Sequence, residues 1–100
     1  MQLKDLEALM HAFVEEQGWY EPNSPKEQSP RNLAISLVLE ATEVLEHFQW
    51  GAEAEQKEAL AGELADVALY LLQLASISDI DLEEAILRKL EENRQREWPS

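Results

Sequence analysis

The 100-residue sequence predicts an all-α fold, an antiparallel four-helix bundle forming a single domain over residues 1–100. Three observations carry that expectation. Apolar residues recur at three-and-four spacing through most of the chain, Gly and Pro punctuate it at helix-length intervals, and no alternating run of β-branched residues is present to make a strand. Short linkers between the last three helical segments favour antiparallel packing.

The first helix is expected over about residues 2–17, where Leu3, Leu6, Leu9, Met10, Phe13 and Val14 share a face and Gly18 closes the segment. A loop follows, marked by Pro22, Asn23, Ser24 and Pro25. Ser29 then Pro30 supply an N-cap and a proline at the first helical position, opening a second helix that is expected to run to Gly51. A third begins near residues 52–55 and continues to about Ser78; it is apolar on nearly every side between positions 64 and 77, as befits the central helix. Asp81 with Glu84 forms a capping-box-like start for the last helix, which carries Leu82, Ala85, Ile86 and Leu90 inward and ends at Trp98 and Pro99.

Eight basic residues against twenty-one acids leave a net charge of −13, which repels polymeric nucleic acid. A small polyanion is compatible only where cations screen the carboxylates, so the charge points toward a metal ion. Without cysteine there is no disulfide, thiolate zinc site or thiol nucleophile, which suits a reducing, cytoplasmic setting. The N-terminal MQLKDLEALMHAF lacks a basic region followed by an apolar run, so no signal peptide is expected. Residues 67–77, the longest apolar stretch, are too few to span a bilayer and are interrupted by Gln73; no membrane role is expected.

On the second helix Leu37, Ala41, Val44 and Phe48 form a stripe with Glu40, Glu43 and His47 along its edge. The third repeats the pattern, with Leu60, Leu64, Val67, Leu71 and Ala75 flanked by Glu63, Asp66 and Tyr70. Acid pairs at this spacing also occur at Glu43 with Glu46 and at Glu55 with Glu58, so spacing alone is a weak signal. Position strengthens it, because solvated acids would sit away from the apolar stripe. In antiparallel packing the four carboxylates Glu40, Glu43, Glu63 and Asp66 converge and demand a divalent cation, magnesium or manganese given oxygen-only ligands. Lys89, Asn93 and Arg96 continue the inward face of the last helix and suit phosphate, although cations there also complement the helix dipole. Trp19, Tyr20 and Trp50 could stack a base, or simply pack. His11 and His47 read as structural or surface histidines, since neither sits in the Glu-x-x-His pattern of di-iron bundles.

The segments SLVLEATEVLEHFQW and GELADVALYLL resemble the E-x-x-E and E-x-x-D helices of MazG-like all-α nucleotide pyrophosphohydrolases. With GWYEP, SPRNLAISLVLE, DLEEAILRK and LEENRQR, the chain is most similar to the dCTP pyrophosphatase branch. The resemblance implies magnesium-dependent hydrolysis of nucleoside triphosphates to monophosphate and pyrophosphate, with Glu40, Glu43, Glu63 and Asp66 as metal ligands. It further implies that Lys89, Asn93, Arg96 and Tyr70 touch phosphates or sugar and that Trp19 and Trp50 lie near the base. Many MazG-like proteins have a further acid immediately before the first motif glutamate, where this chain has Leu39, so the attacking water must be activated by metal or by a ligand acting twice. The short linker between the second and third helices leaves base preference open.

Ile35 and Leu39 on the far side of the second helix, with Leu69 and Leu72 on the third, predict a symmetric homodimer or homotetramer. Two rival readings remain at this level: a same-fold enzyme acting on dUTP or phosphoribosyl-ATP, and a non-catalytic acidic helical module that binds a partner through its apolar face.

Overall fold

The computed structural model describes residues 1–51, 53 and 56–97, and contains four helices: α1 (Leu3–Glu16), α2 (Pro30–Glu46), α3 (Lys57–Ile77) and α4 (Leu82–Gln95). Among the described residues there is no strand. The capping signals act as their chemistry dictates. The Gln2 N–H donates to Asp5 Oδ2 at 2.8 Å, Ser29 Oγ accepts from the Asn32 N–H at 3.2 Å, and Asp81 Oδ1 accepts from the Glu84 N–H at 3.1 Å. Gly18, with φ +74°, ends α1 as the left-handed residue of a Schellman motif: its own N–H reaches Glu15 O and the Trp19 N–H reaches Val14 O. The same motif ends α3, but there Asp79 adopts φ +59° without being glycine.

Two boundaries differ from expectation. The second helix stops at Glu46 instead of Gly51, because the bonding switches from i−4 to i−3: the His47 and Phe48 amides donate to Val44 and Leu45 carbonyls at 3.2 and 3.0 Å, tightening the chain into turns. The last helix stops at Gln95, with Arg96 extended; the expected stop at Trp98 and Pro99 lies outside the described residues. The expected start of the third helix falls on positions 52–55, of which Ala52, Ala54 and Glu55 lie outside the described residues; Gln56 is its N-cap.

Packing is organised around α3. Gln28, just before α2, bonds Gln73 late in α3, whereas Glu43 late in α2 meets Glu63 early in α3, so α2 runs antiparallel to it. His11 of α1 bonds Ser76 while Phe13 shares a cavity wall with Leu69 and Asp66, so α1 is antiparallel as well. The core forms where α1 covers α3: Met10, Val14 and Leu72 are buried, with Leu3, Trp19, Tyr20 and Leu82 packed against them. Leu72, expected on an oligomer surface, is therefore a core residue. Each such side chain contributes roughly 1.5–3 kcal/mol on leaving water.

By contrast, α4 buries none of its residues, and Ile86 and Leu90, expected to face inward, are 43% and 54% exposed. The radius of gyration is 16.1 Å, against about 13 Å for a closed 100-residue domain. An 18-residue window of α3 has a mean hydropathy of about 1.4, enough by length and composition to cross a membrane, so its apolar character extends beyond positions 67–77. Its polar residues nevertheless meet groups on other elements, and α1 and α2 lie along it. Within one copy of the chain, however, only 17% of that window is buried.

Candidate functional site

Three of the four expected ligands come together where α2 meets α3. One carboxylate oxygen each from Glu40, Glu43 and Glu63 lies within 4.8 Å of the others. Helix geometry explains the grouping: residues three apart on α2 share an edge, and the antiparallel α3 brings Glu63 to it. Asp66, one turn further along α3, is close enough to act electrostatically on both Glu40 and Glu63. Like charges so placed repel, and the protein records the strain. Burial pushes the Glu40 carboxyl up to about 7, reinforced by Glu43, Asp66 and Glu63. The Glu63 carboxyl is raised by hydrogen bonding with Glu43 and by burial, with Asp66 adding to the shift.

Two further facts test whether these residues suit a cation. Glu40 Oε2 and Glu63 Oε2 are both shielded from solvent and lack a hydrogen-bond partner. A shielded carboxylate oxygen without a donor is costly, and a hard dication removes that cost. The donors are all oxygen, so the set fits magnesium or manganese and not a metal that prefers thiolate or imidazole.

Asp66 also opens onto a cavity of about 400 Å³ between α1, α3 and the loop after α1. Its walls include Phe13, Trp19, Lys26, Asp66, Tyr70 and Gln73. Phe13 meets Trp19 edge-on, with centroids 5.6 Å apart at 85°, which holds the indole upright. Behind this wall lies a hydrogen-bond chain that includes no carboxylate. Gln73, only 4% exposed, donates through Nε2 to Gln28 Oε1 at 2.7 Å and to the Tyr20 hydroxyl at 3.3 Å. The Tyr20 hydroxyl then lies 2.5 Å from His11 Nδ1, and His11 Nε2 lies 2.7 Å from Ser76 Oγ. Burial raises the Tyr20 phenol, Gln73 offsets this in part, and Glu15 adds to the rise; the proton stays on oxygen and is available to His11. His11 is structural, as expected. His47 borders a separate hollow with Glu43, Glu46 and Glu63.

The structure does not gather every residue singled out from sequence. Trp19 and Tyr70 line the cavity with Asp66, but Trp50 is 82% exposed in the turns after α2. Lys89 faces solvent on α4, where it pairs with Glu92 at 3.4 Å, and Arg96 borders a hollow formed by α4 itself. Lys89, half-buried Asn93 and Arg96 are not among the residues lining the cavity. Conversely Lys26, Gln28 and Gln73 were not foreseen. The only sequence signal for Lys26 was a lone cation in a loop of a strongly acidic chain.

A profile of the MazG-like family matches residues 35–99. The chain is 37% identical to dCTP pyrophosphatase 1 of Rattus norvegicus and 36% identical to dCTP pyrophosphatase 1 of Homo sapiens, each over 103 aligned positions covering 94% of this chain. It spans 58% of the length of those curated relatives. The crystal structure of a pyrophosphatase from Archaeoglobus fulgidus superposes with a TM-score of 0.80 at 32% identity, covering 98% of this chain and 93% of that one. Its E-x-x-E and E-x-x-D helices facing each other across one seam, on a fold shared with that pyrophosphatase, the chain belongs to the MazG-like family.

Proposed function

We propose that this chain hydrolyses nucleoside triphosphates, dCTP and related deoxynucleotides first among them, to the monophosphate and pyrophosphate, with magnesium as cofactor and manganese as its substitute. One observation carries the reading: a carboxylate cluster with two stranded oxygens, beside an aromatic cavity that its neighbour Asp66 lines. A solvated acidic face would leave no such oxygens, which disfavours the non-catalytic module. The dCTP preference rests on the names of the curated relatives.

Glu40, Glu43 and Glu63 would each give an oxygen to the cation, with Asp66 as the fourth carboxylate. When bound, the cation supplies charge that neutralises phosphate and acidity for a water molecule. The chain's own residues do the rest. Trp19 offers a face for the base, Phe13 keeps that face fixed, and the apolar wall of α1 excludes water, which raises the worth of every charged contact inside. Since Leu39 precedes Glu40, no extra acid stands there; the Glu40 oxygen that is not given to the cation would be available to accept a proton from the attacking water. The exposed apolar residues Ile35, Val38 and Leu39 of α2 and Ile86, Leu87 and Leu90 of α4 call for a second copy, as a homodimer or homotetramer. In that assembly Lys89, Asn93, Arg96 and Trp50 would approach a site they do not reach within one protomer. The protein is read as soluble and cytoplasmic.

The test is a panel of ribo- and deoxynucleoside triphosphates with separate detection of pyrophosphate and phosphate, with magnesium and with chelator. Magnesium-dependent release of one pyrophosphate per dCTP is expected. Release of phosphate alone, or no turnover of any triphosphate, would overturn the reading.

A further inference from the structure

Lys26 has no role in the proposal above, yet among the described residues lining the 400 Å³ cavity it is the only Lys or Arg. In a chain with twenty-one acids, a lysine would ordinarily find a carboxylate; among the described residues Lys26 makes no ion pair. Its ammonium instead sits over the indole of Trp19, 4.0 Å from the ring centroid. Its backbone is held at both sides: the Lys26 N–H donates to Ser24 Oγ at 3.0 Å, and the Lys26 carbonyl accepts from Gln28 Nε2 at 2.7 Å. Gln28 is in turn tied to Gln73 of α3 at 2.7 Å. The backbone of Lys26 is thus tied to the scaffold while its ammonium rests on an aromatic face.

We propose that Lys26 is a nucleotide-binding residue whose ammonium leaves the Trp19 face to meet the anionic part of the substrate, uncovering the indole for the base. The inference rests on the pyrophosphohydrolase reading and adds to it a cation from this protomer's own loop. Its physical basis is charge balance. A triphosphate entering a cavity with Asp66 in its wall, next to three further carboxylates, needs positive charge beyond the metal's, and the aromatic contact is weak enough to exchange for a charge-assisted hydrogen bond. One movement then serves two ends, because the surface the lysine vacates is the one a base requires.

The experiment compares the wild type with Lys26→Met and Lys26→Arg in magnesium-dependent dCTP hydrolysis, together with tryptophan fluorescence on titration with α,β-methylene-dCTP. For Lys26→Met, KM is expected to rise about ten-fold or more with kcat changed less than about three-fold, and Lys26→Arg to recover most of the loss. The analogue should change the fluorescence of the wild type more than that of Trp19→Phe, and Lys26→Met alone should already shift the emission. A KM for Lys26→Met equal to that of an active wild type overturns the Lys26 assignment and leaves the hydrolase reading standing. An inactive wild type overturns both. Circular dichroism of each variant confirms that the helices persist.

Discussion

The two seams of α3 are built on opposite principles. Along α1 the polar groups close a chain without carboxylates from Gln28 and Gln73 through Tyr20 and His11 to Ser76, over a core of Met10, Val14 and Leu72. Along α2, three carboxylates are held within 4.8 Å and two of their oxygens have no partner. The first seam satisfies its polar groups from within the chain; the second leaves two shielded oxygens that a cation would satisfy. The contrast separates packing that stabilises the fold from crowding that costs it stability, and crowding of that kind is concentrated at functional sites.

Glu63→Gln should separate the two seams most widely. Turnover should fall about a thousand-fold or more, roughly 4 kcal/mol of transition-state stabilisation, while the helical circular dichroism persists and the cation-free protein melts no lower than wild type. A lower melting temperature in chelator would mean that the acid contributes to folding after all. Leu72→Ala is the converse: it should cost about 2–4 kcal/mol in urea denaturation, and leave kcat of the folded fraction nearly unchanged. Gln73→Ala should cost less, about 1–3 kcal/mol, by stranding the Gln28 and Tyr20 oxygens, and should loosen the loop that carries Trp19. Faster amide exchange over residues 19–28 would report that loosening.

Smaller, but with a definite sign, is the effect of pH. The Glu40 carboxyl titrates near 7 in the folded chain against about 4.5 when unfolded, so folding binds a proton between those values. The stability this group lends is full below the unfolded value and is lost as pH rises through about 7. Melts in chelator should therefore fall from pH 5 to pH 8, whereas saturating magnesium, which binds the ionised site, should flatten or invert the trend. A trend in chelator that rises with pH would contradict the crowded-acid description.

What the sequence made legible was whatever local chemistry decides. Ser29, Pro30, Asp81 and Gly18 set helix ends through neighbouring atoms, and the grouping of Glu40, Glu43 and Glu63 was readable from their place along the edges of two apolar stripes. What depended on distant residues was not legible. The stop at Glu46 comes at the start of a stretch, EHFQW, that carries no breaker before Gly51. The bond from His11 to Ser76 joins positions 65 apart, and Gln28 and Gln73 meet only because α3 returns along α2. Lys26 lay in a loop whose proline content marked it as irregular without saying what it would border. The inward face assigned to α4 assumed neighbours that one copy of the chain does not supply.

Because α3 serves both seams, it acts as a ruler between them. Asp66 and Gln73 stand seven residues apart, about two turns and some 10 Å of rise, so that the carboxylates and the polar chain behind Trp19 are set in phase by a single stretch of backbone. Adding one residue inside that stretch would swing its two ends by about 100° relative to each other. No repacking of side chains could then restore both seams at once, whereas the loop between α1 and α2 can change in length without altering this phase. Divergence among chains of this design should accordingly gather in that loop, and the spacing from Asp66 to Gln73 should stay fixed.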